Sequence, residues 1–578
     1  KYKNMYKPLV KLLLITTVVI TLASCGSKTP KETKYIPKDA TAVVVVNPKS
    51  LEDKMKTGNL SLDSFVNKFN EKEDTANQAK AKKLWDDFKA SGVSLDDNLF
   101  LFVVQKGNMQ KGQSTAVSVL ATIKDEAKFE AYVKKQQEQL KDNGIQKESN
   151  FSYLVSSYNS SVAWNKEVVI VTMYNKDSKM SFDSLGNYQT PDETVTKKEQ
   201  KAEVARYFSL KADETVGSIA LFNDLFKEKA DGYLFTTSSG TLAALSAMPL
   251  NLPKLQELLK DNYSTATFNF EDGKIVAKSV MHTNPMLSSL LKKYAGPTVN
   301  IAALEKFPSQ NINGAMLVSF NPELFNGLLK ELEVGGIVDG FLSGQGLTSA
   351  DIFKALKGEI NVIVSDFTIA SKEVTYPGYD GKPFTSTQTL PTAKLIFSAS
   401  IGNKIAFDKI MEKAVQTGFV EKTSTGYRSG AAMAATNLFL MADDKNLIIA
   451  SDSATYAAYT SGTGKATIDA DVLSKLKGKS TATFVDIASL LTGAIAGVKD
   501  ETGIKVMTDT KNTFKNAIVT SDNFSGSSLS SYFEVNMSNT KQNSLVSTLN
   551  LISEIYAIIK ADENKRKEMN STDPASFE

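Results

Sequence analysis

Acids and lysines are what this chain offers for chemistry. Thiols, imidazoles and guanidinium groups are scarce. Among 578 residues there is one Cys, Cys25, and one His, His282. That inventory excludes a metal site built from Cys and His, and any disulfide within the chain. The acids show no EF-hand spacing, so no calcium loop is expected. No cofactor is expected either. A Ser–His–Asp triad could draw only on His282. It stands where an apolar run meets Asn284-Pro285 and reads as a surface or hydrogen-bonded histidine. Carboxylate catalysis is a different matter, because two acids about 5–9.5 Å apart suffice and leave no local signature. The adjacent pairs Asp96-Asp97, Glu271-Asp272 and Asp443-Asp444 each fall at a turn, where acids are ordinarily solvated.

Several strings mimic catalytic motifs and fail on context. Ser289-Leu290-Leu291-Lys292 and Ser474-Lys475-Leu476-Lys477 fit S-x-x-K, Ser521-Asp522-Asn523 fits S-D-N, and Lys56-Thr57-Gly58 fits K-T-G. Penicillin-recognising enzymes place the nucleophile motif first and K-T-G last, on an interior strand. Here K-T-G comes first and closes a helix, and Ser289 falls inside one. Gly464-Lys465 has Tyr459 and Ala466 where a phosphate loop requires Gly and Ser/Thr. Gly344-Gln345-Gly346 lacks the third Gly of a dinucleotide fingerprint and reads as a loop.

Charge narrows the partners. Of 67 basic residues only Arg206, Arg428 and Arg566 are Arg, so the planar fork that grips phosphates and guanine edges is nearly absent. Four lysines, Lys1, Lys3, Lys7 and Lys11, lie in the first 24 residues with no acid among them. Without these four the remainder meets 64 acids with a net charge of −1. No nucleic-acid partner is expected, and the lysines read as solvated surface.

The leader is the informative segment. Met5 reads as the start of translation. After Lys11, the uncharged run Leu12–Ser24 is 13 residues long, short of the ~20 a membrane span requires. It therefore reads as a signal-peptide core. Leu22-Ala23-Ser24-Cys25 closes it and resembles the lipobox of bacterial lipoproteins. That resemblance implies cleavage before Cys25, acylation of its thiol, and attachment to a membrane through the acyl chains. Two or three such chains, at about 0.8 kcal/mol per buried methylene, make a firm anchor. Residues 25–35 are polar with a Pro and read as a flexible tether. Only Glu32 is acidic there, among Lys28, Lys31 and Lys34, so a cell-surface export cluster is not evident and the periplasmic face is favoured.

The elements behind the leader occur twice. Val43-Val44-Val45-Val46-Asn47-Pro48 is an apolar strand running into Asn-Pro and a helix start, and Met316-Leu317-Val318-Ser319-Phe320-Asn321-Pro322 repeats it at an offset of 274. A strand then an Asx N-cap then an amphipathic helix occurs at Ala121–Glu130 and again at Ala399–Asp408, offset 278. A hairpin follows each helix, at Ser161–Val171 and Asn437–Ala450. Ser218–Phe222 is matched with Thr481–Val485 as a later strand, and each half closes with a hairpin, at Thr265–Met281 and Ile518–Met537. The fold expected is α+β: two tandem homologous repeats of mostly antiparallel sheet with interspersed helices, after a cleaved lipoprotein signal peptide. The segments are 1–24 signal peptide, 25–35 tether, 36–300 first repeat, 305–560 second repeat and 561–578 polar tail.

The leader, the Ile36-Pro37-Lys38-Asp39-Ala40 phrase with its strand, and the tandem layout resemble a family of uncharacterised lipoproteins of Bacteroides-type bacteria. The resemblance implies compartment and architecture and no catalytic residue. Such bacteria O-glycosylate Asp-Ser/Thr-apolar triplets, which makes Thr75, Ser184 and Ser453 candidates at chance frequency. The expected function is that of a lipid-anchored, periplasm-facing outer-membrane lipoprotein with a non-enzymatic binding or structural role toward an unknown envelope protein or ligand. The alternative is a carboxylate-dependent hydrolase acting on envelope glycans.

Overall fold

The structure, a computed structural model, describes residues 29–571 apart from 72–74, 109–111, 141–143, 156–158, 178–192, 239–252, 378–381, 435, 463–465 and 467. Leu22, Ala23, Ser24, Cys25 and Ser184 therefore lie outside the described residues. The described chain is α+β and divides into two compact units. The first runs to Glu271 and adds Ser279–Asn284 and Gln542–Ser553. The second holds Asp272–Lys278, Pro285–Lys541 and the residues from Glu554. The units divide near 284, and a short C-terminal segment belongs with the first unit.

The first unit contains strands β1 (Ala40–Val46), β2 (Leu99–Asn108), β3 (Gly112–Thr122), β4 (Gln146–Lys147), β5 (Ser152–Val155), β6 (Ser160–Trp164), β7 (Val168–Asp177), β8 (Gly232–Thr237) and β9 (Tyr263–Glu271). Helices α1 (Pro48–Thr57), α2 (Leu62–Asn70), α3 (Glu126–Leu140) and α4 (Glu193–Tyr207) lie between them. β1 is central and antiparallel to β2 on one edge and β8 on the other. The ladder continues β2–β3, β3–β7, β7–β6, β6–β5 and β5–β4, with β8–β9 beyond β8. Successive side chains on a strand point to opposite faces. Leu120, Ala163 and Ile170 accordingly join Val43, Val45, Phe100 and Phe102 in one core. Their neighbours Ala121, Trp164 and Val169 join Phe129 and Val133 of α3 in another. β-Branched and aromatic residues at both parities are what a sheet covered on both faces requires.

The second unit contains β11 (Ile312–Ser319), β12 (Leu356–Pro377), β13 (Pro383–Ile401), β14 (Val420–Thr423), β15 (Gly426–Ser429), β16 (Phe439–Ala442), β17 (Asn446–Ala450), β18 (Thr481–Asp486), β19 (Phe514–Ser521) and β20 (Ser528–Met537). β10 (Lys274–His282) precedes them and is divided, Lys274–Lys278 falling in the second unit and the rest in the first. Helices here include α5 (Glu323–Glu331), α6 (Lys404–Gln416) and α7 (Ser453–Ser461). β11 is paired by β12 and β18. The ladder runs on through β12–β13, β13–β17, β17–β16, β16–β15 and β15–β14, with β18–β19 and β19–β20 on the other side. From the central strand outward to β4 and to β14, the two ladders are paired in the same order.

The Asx caps do what their spacing predicts. Asn47 Oδ1 accepts the Ser50 N–H at 3.3 Å, Asp125 Oδ1 the Lys128 N–H at 3.0 Å, and Asn403 Oδ1 the Ala406 N–H at 3.0 Å. Asn321 accepts from Glu323 N–H at 3.1 Å. Asn47 and Asn321 both end a central strand, but with a difference of two residues. Val46 is the last residue of β1 paired on both edges, and Val318 is the last such residue of β11. Asn47 follows at once. In the second unit Ser319 and Phe320 still donate to Ser480 and Gly358 carbonyls before Asn321 is reached.

Three local readings change. Ser218–Phe222 is helical, not a strand: 3-10 over Val216–Ser218 and α over Ala220–Asp224, with Phe222 fully buried. Four apolar residues are too few to separate a strand from a buried turn of helix. The strand beside β1 is Gly232–Thr237, whose Tyr233 and Phe235 supply the alternation. Second, Lys31–Tyr35, read as part of the tether, is a 3-10 helix that buries Glu32, Thr33 and Tyr35. Third, the tail is helical as far as Ser571, as part of the helix Ser544–Ser571.

A buried carboxylate fastens the end of β1. Asp231, fully buried, accepts from the Ser50 hydroxyl and the Phe270 N–H, each at 2.6 Å, and pairs with the Lys54 ammonium. Its carbonyl accepts the Asn47 N–H at 2.8 Å. One residue thus joins β1, α1, β8 and β9. Beneath α1, Leu51, Met55, Leu60 and Phe65 pack with Leu545 and Val546. A methyl group at Gly58 would collide with Val546, so the Gly of the K-T-G string is there for close packing. Lys54→Met should leave Asp231 as an uncompensated buried charge and cost about 3–5 kcal/mol. Lys49→Ala, which removes only an exposed pairing with Glu52 and Asp53, should leave stability nearly unchanged. Hydrogen exchange of the β1 and β8 amides measures both, and equal effects would refute the role given to Asp231.

Candidate functional site: a charged groove on the first unit

Helix α4 buries Thr196, Gln200, Glu203, Val204 and Tyr207, a spacing that defines one helical face. Three of these five are polar, which is unusual for a face packed on a sheet. Gln200 Nε2 donates to the Asn159 carbonyl at 3.0 Å, and Tyr207 lies edge-on to Phe102 with ring centroids 5.1 Å apart. Beside this face, α4 and strands β2, β3 and β7 enclose a groove of about 420 Å³. It is lined by Lys106, Ser114, Tyr174, Lys176, Glu199, Glu203 and Arg206, among others.

Each carboxylate of the groove is matched. Lys176 Nζ lies 2.6 Å from Glu199 Oε1, and the Tyr174 hydroxyl donates to Glu199 Oε2 at 3.2 Å. Glu203, with a side chain 7% exposed, is held by Arg206 Nη2 at 2.6 Å and by the Lys106 ammonium. Arg206 Nη1 also reaches Asp39 at 3.0 Å. Burial works against the Arg206 charge, but Glu203 and Asp39 outweigh it and raise its pKa. Burial pushes the Tyr174 hydroxyl up. The groove can therefore hold a polar or charged group by exchanging these pairings. It offers no serine beside a histidine.

The residues singled out in the sequence are not drawn together. His282 ends β10, where its Nε2 sits 3.4 Å from the Thr265 hydroxyl. Burial lowers its pKa, against the pull of Asp224, so the ring is neutral at pH 7. The S-x-x-K, S-D-N and K-T-G strings lie on separate elements. Lys56 and Thr57 end α1, Ser289 lies inside Pro285–Lys293, Ser474 lies inside Ala470–Leu476, and Ser521 ends β19. Asp443 shapes a turn by accepting the Lys445 and Asn446 N–H groups, both at 2.7 Å. Thr75 opens the helix Thr75–Lys89. Ser453 is exposed in the first turn of α7, where Asp452 is the N-cap and accepts from Thr455 N–H at 2.7 Å. Among the described residues no three His, Cys, Asp or Glu side chains converge as metal ligands would.

The groove has little local signature in the sequence. A signal existed: Glu199, Glu203 and Arg206 are spaced for one helix face, and Arg206 is one of only three Arg. Lys106, Tyr174 and Lys176 come from distant strands and carry no local mark.

Known proteins place the chain only coarsely. A model described as Domain of unknown function (DUF4836) matches residues 33–300. No curated protein matches. Among solved structures, crystal form III of TP0453 is 9% identical over 46% of this chain and 86% of that one, with a TM-score of 0.21. Crystal form I of TP0453 is 7% identical over 47% and 88%, with a TM-score of 0.22.

One acid among the described residues has its carboxyl pushed upward. Burial raises Glu32 above its usual 4.5, against smaller pulls from its own backbone, Lys31 and the Thr122 hydroxyl. It is 6% exposed and stands outside the groove lining. A raised carboxyl binds its proton more tightly folded than unfolded. Stability is therefore full below 4.5 and falls as pH rises through the raised value. Glu32→Gln should gain on the native protein between about pH 4 and about pH 8. Unfolding midpoints at the two pH values check this, and a pH-independent difference would count against it.

Proposed function

We propose that this protein is a lipid-anchored lipoprotein of the bacterial envelope, of the kind found in Bacteroides-type bacteria, held at the periplasmic face of the outer membrane. Its role there is to bind or support another envelope component rather than to catalyse a reaction. The observation that carries the reading is Leu22-Ala23-Ser24-Cys25, which ends a short apolar run with the only thiol of the chain. The fold begins at once behind it, with Lys31–Tyr35 already packed. A rival anchor is the helix Ser544–Lys567, long and apolar enough to cross a membrane by length and composition. Leu545, Val546 and Leu551 are buried, but only 28% of its apolar window is, and Ile552 and Ile559 are exposed, so this helix stands as a second candidate for membrane contact.

The hydrolase alternative receives less support. Glu199 and Glu203 share one groove, but each is engaged by a cation, and the raised carboxyl of Glu32 is sealed from solvent. The common ladder order of the two units supports reading them as a duplicated repeat. Cys25→Ala should leave unprocessed precursor or protein released from membranes. Phase partitioning in detergent reads this directly, and a variant that still enters the detergent phase would overturn the anchor.

A further inference from the structure

The charged groove on the first unit is built around one row of the sheet. Lys106 of β2 is paired with Ser114 of β3, and Ser114 with Lys176 of β7. Residues directly opposite each other on neighbouring strands share a face, so all three face α4. Strands lie about 4.8 Å apart, which puts the two lysine backbones about 10 Å apart with Ser114 between them. Each ammonium is drawn to a different acid of α4, Lys176 to Glu199 and Lys106 to Glu203. The lining residue that α4 adds between these acids, Ala202, is small.

Donors outnumber acceptors in this groove. Both oxygens of Glu199 are engaged, one by Lys176 and one by the Tyr174 hydroxyl. Both oxygens of Glu203 are engaged too, one by Arg206 and one by Lys106. The cations have capacity left. An ammonium carries three N–H groups, and each lysine spends one on its acid. The buried Nε–H of Arg206 has no partner among the described residues. Charge points the same way. The lining holds three cations, Lys106, Lys176 and Arg206, against two acids. Asp39, the further partner of Arg206, stands outside the lining with a side chain 52% exposed. The surplus inside is a single positive charge. Lys176 and Arg206 are each 29% exposed, so water screens that charge only in part. We infer that the groove is a binding site for a small monoanionic carboxylate, held between the Lys106 and Lys176 ammonium groups beside Ser114. One carboxylate cancels the surplus and supplies the missing acceptors. A phosphate dianion would overshoot it next to two fixed acids. This rests on the binding role proposed above and not on the anchor.

Isothermal titration of the purified full-length protein tests this. N-acetylalanine and glucuronate represent an amino-acid and a sugar source of the carboxylate, and the methyl ester of each is the uncharged control. At least one acid should bind with a Kd below about 10 mM, and at least about tenfold more tightly than its ester. The acid that binds names the source. Lys106→Gln combined with Lys176→Gln should weaken that binding at least about tenfold, while Lys49→Gln, outside the groove, should leave it unchanged. Equal affinity for acid and ester, tighter binding of phosphate than of either acid, or no binding of either acid below that limit overturns the site. The comparison of acid with ester uses the unaltered protein, so its result stands whatever the substitutions do to folding. Protein that enters the detergent phase yet binds neither acid overturns the site and leaves the anchor standing.

Discussion

Each unit depends on a strand that has no free edge. β1 is paired along both sides, as is β11, and the side chains of one face are fully buried. Buried backbone groups need partners, so the position of such a strand dictates where its neighbours lie. In the first unit the end of β1 is further secured by Asp231, whose carboxylate, carbonyl and neighbours collect two strands and a helix at one point. Covering both faces then calls for helices on both sides. That is why α3 and α4 each present a buried stripe.

The proposed function draws on chemistry at two scales. The anchor proposed for Cys25 would be covalent, and what supports it is linear, four residues at the end of an apolar run. The groove is assembled from a helix and three strands, and its charges cancel locally. A surface of matched ion pairs suits reversible recognition, because a partner must exchange one pairing for another, and the specificity comes from geometry rather than net charge.

What could be read from the sequence follows the same division. The Asn-Pro phrases and the Asx caps are local signals, with a cap and its amide separated by two or three residues, and the structure has them where the spacing puts them. β8 is hard to read from sequence because Ser218–Phe222 offers a similar apolar run a few residues earlier. Only the surrounding fold decides which run pairs with β1. Lys31–Tyr35 reads as tether because it is polar by composition, yet Glu32 and Tyr35 find partners on remote segments. The groove was illegible for that reason too: Lys106, Tyr174 and Lys176 gain meaning only when β2, β3 and β7 bring them beside α4.

The extra Ser319-Phe320 before Asn321 has an evolutionary reading. Side chains on a strand alternate with a period of two. A central strand can therefore lengthen by two residues and deliver the following helix from the same face, as the second unit does relative to the first. Lengthening by one would turn the helix start to the other face and move the buried valines into the wrong layer. Strands of this kind should gain or lose residues in even steps through descent, while the loops around them change length freely.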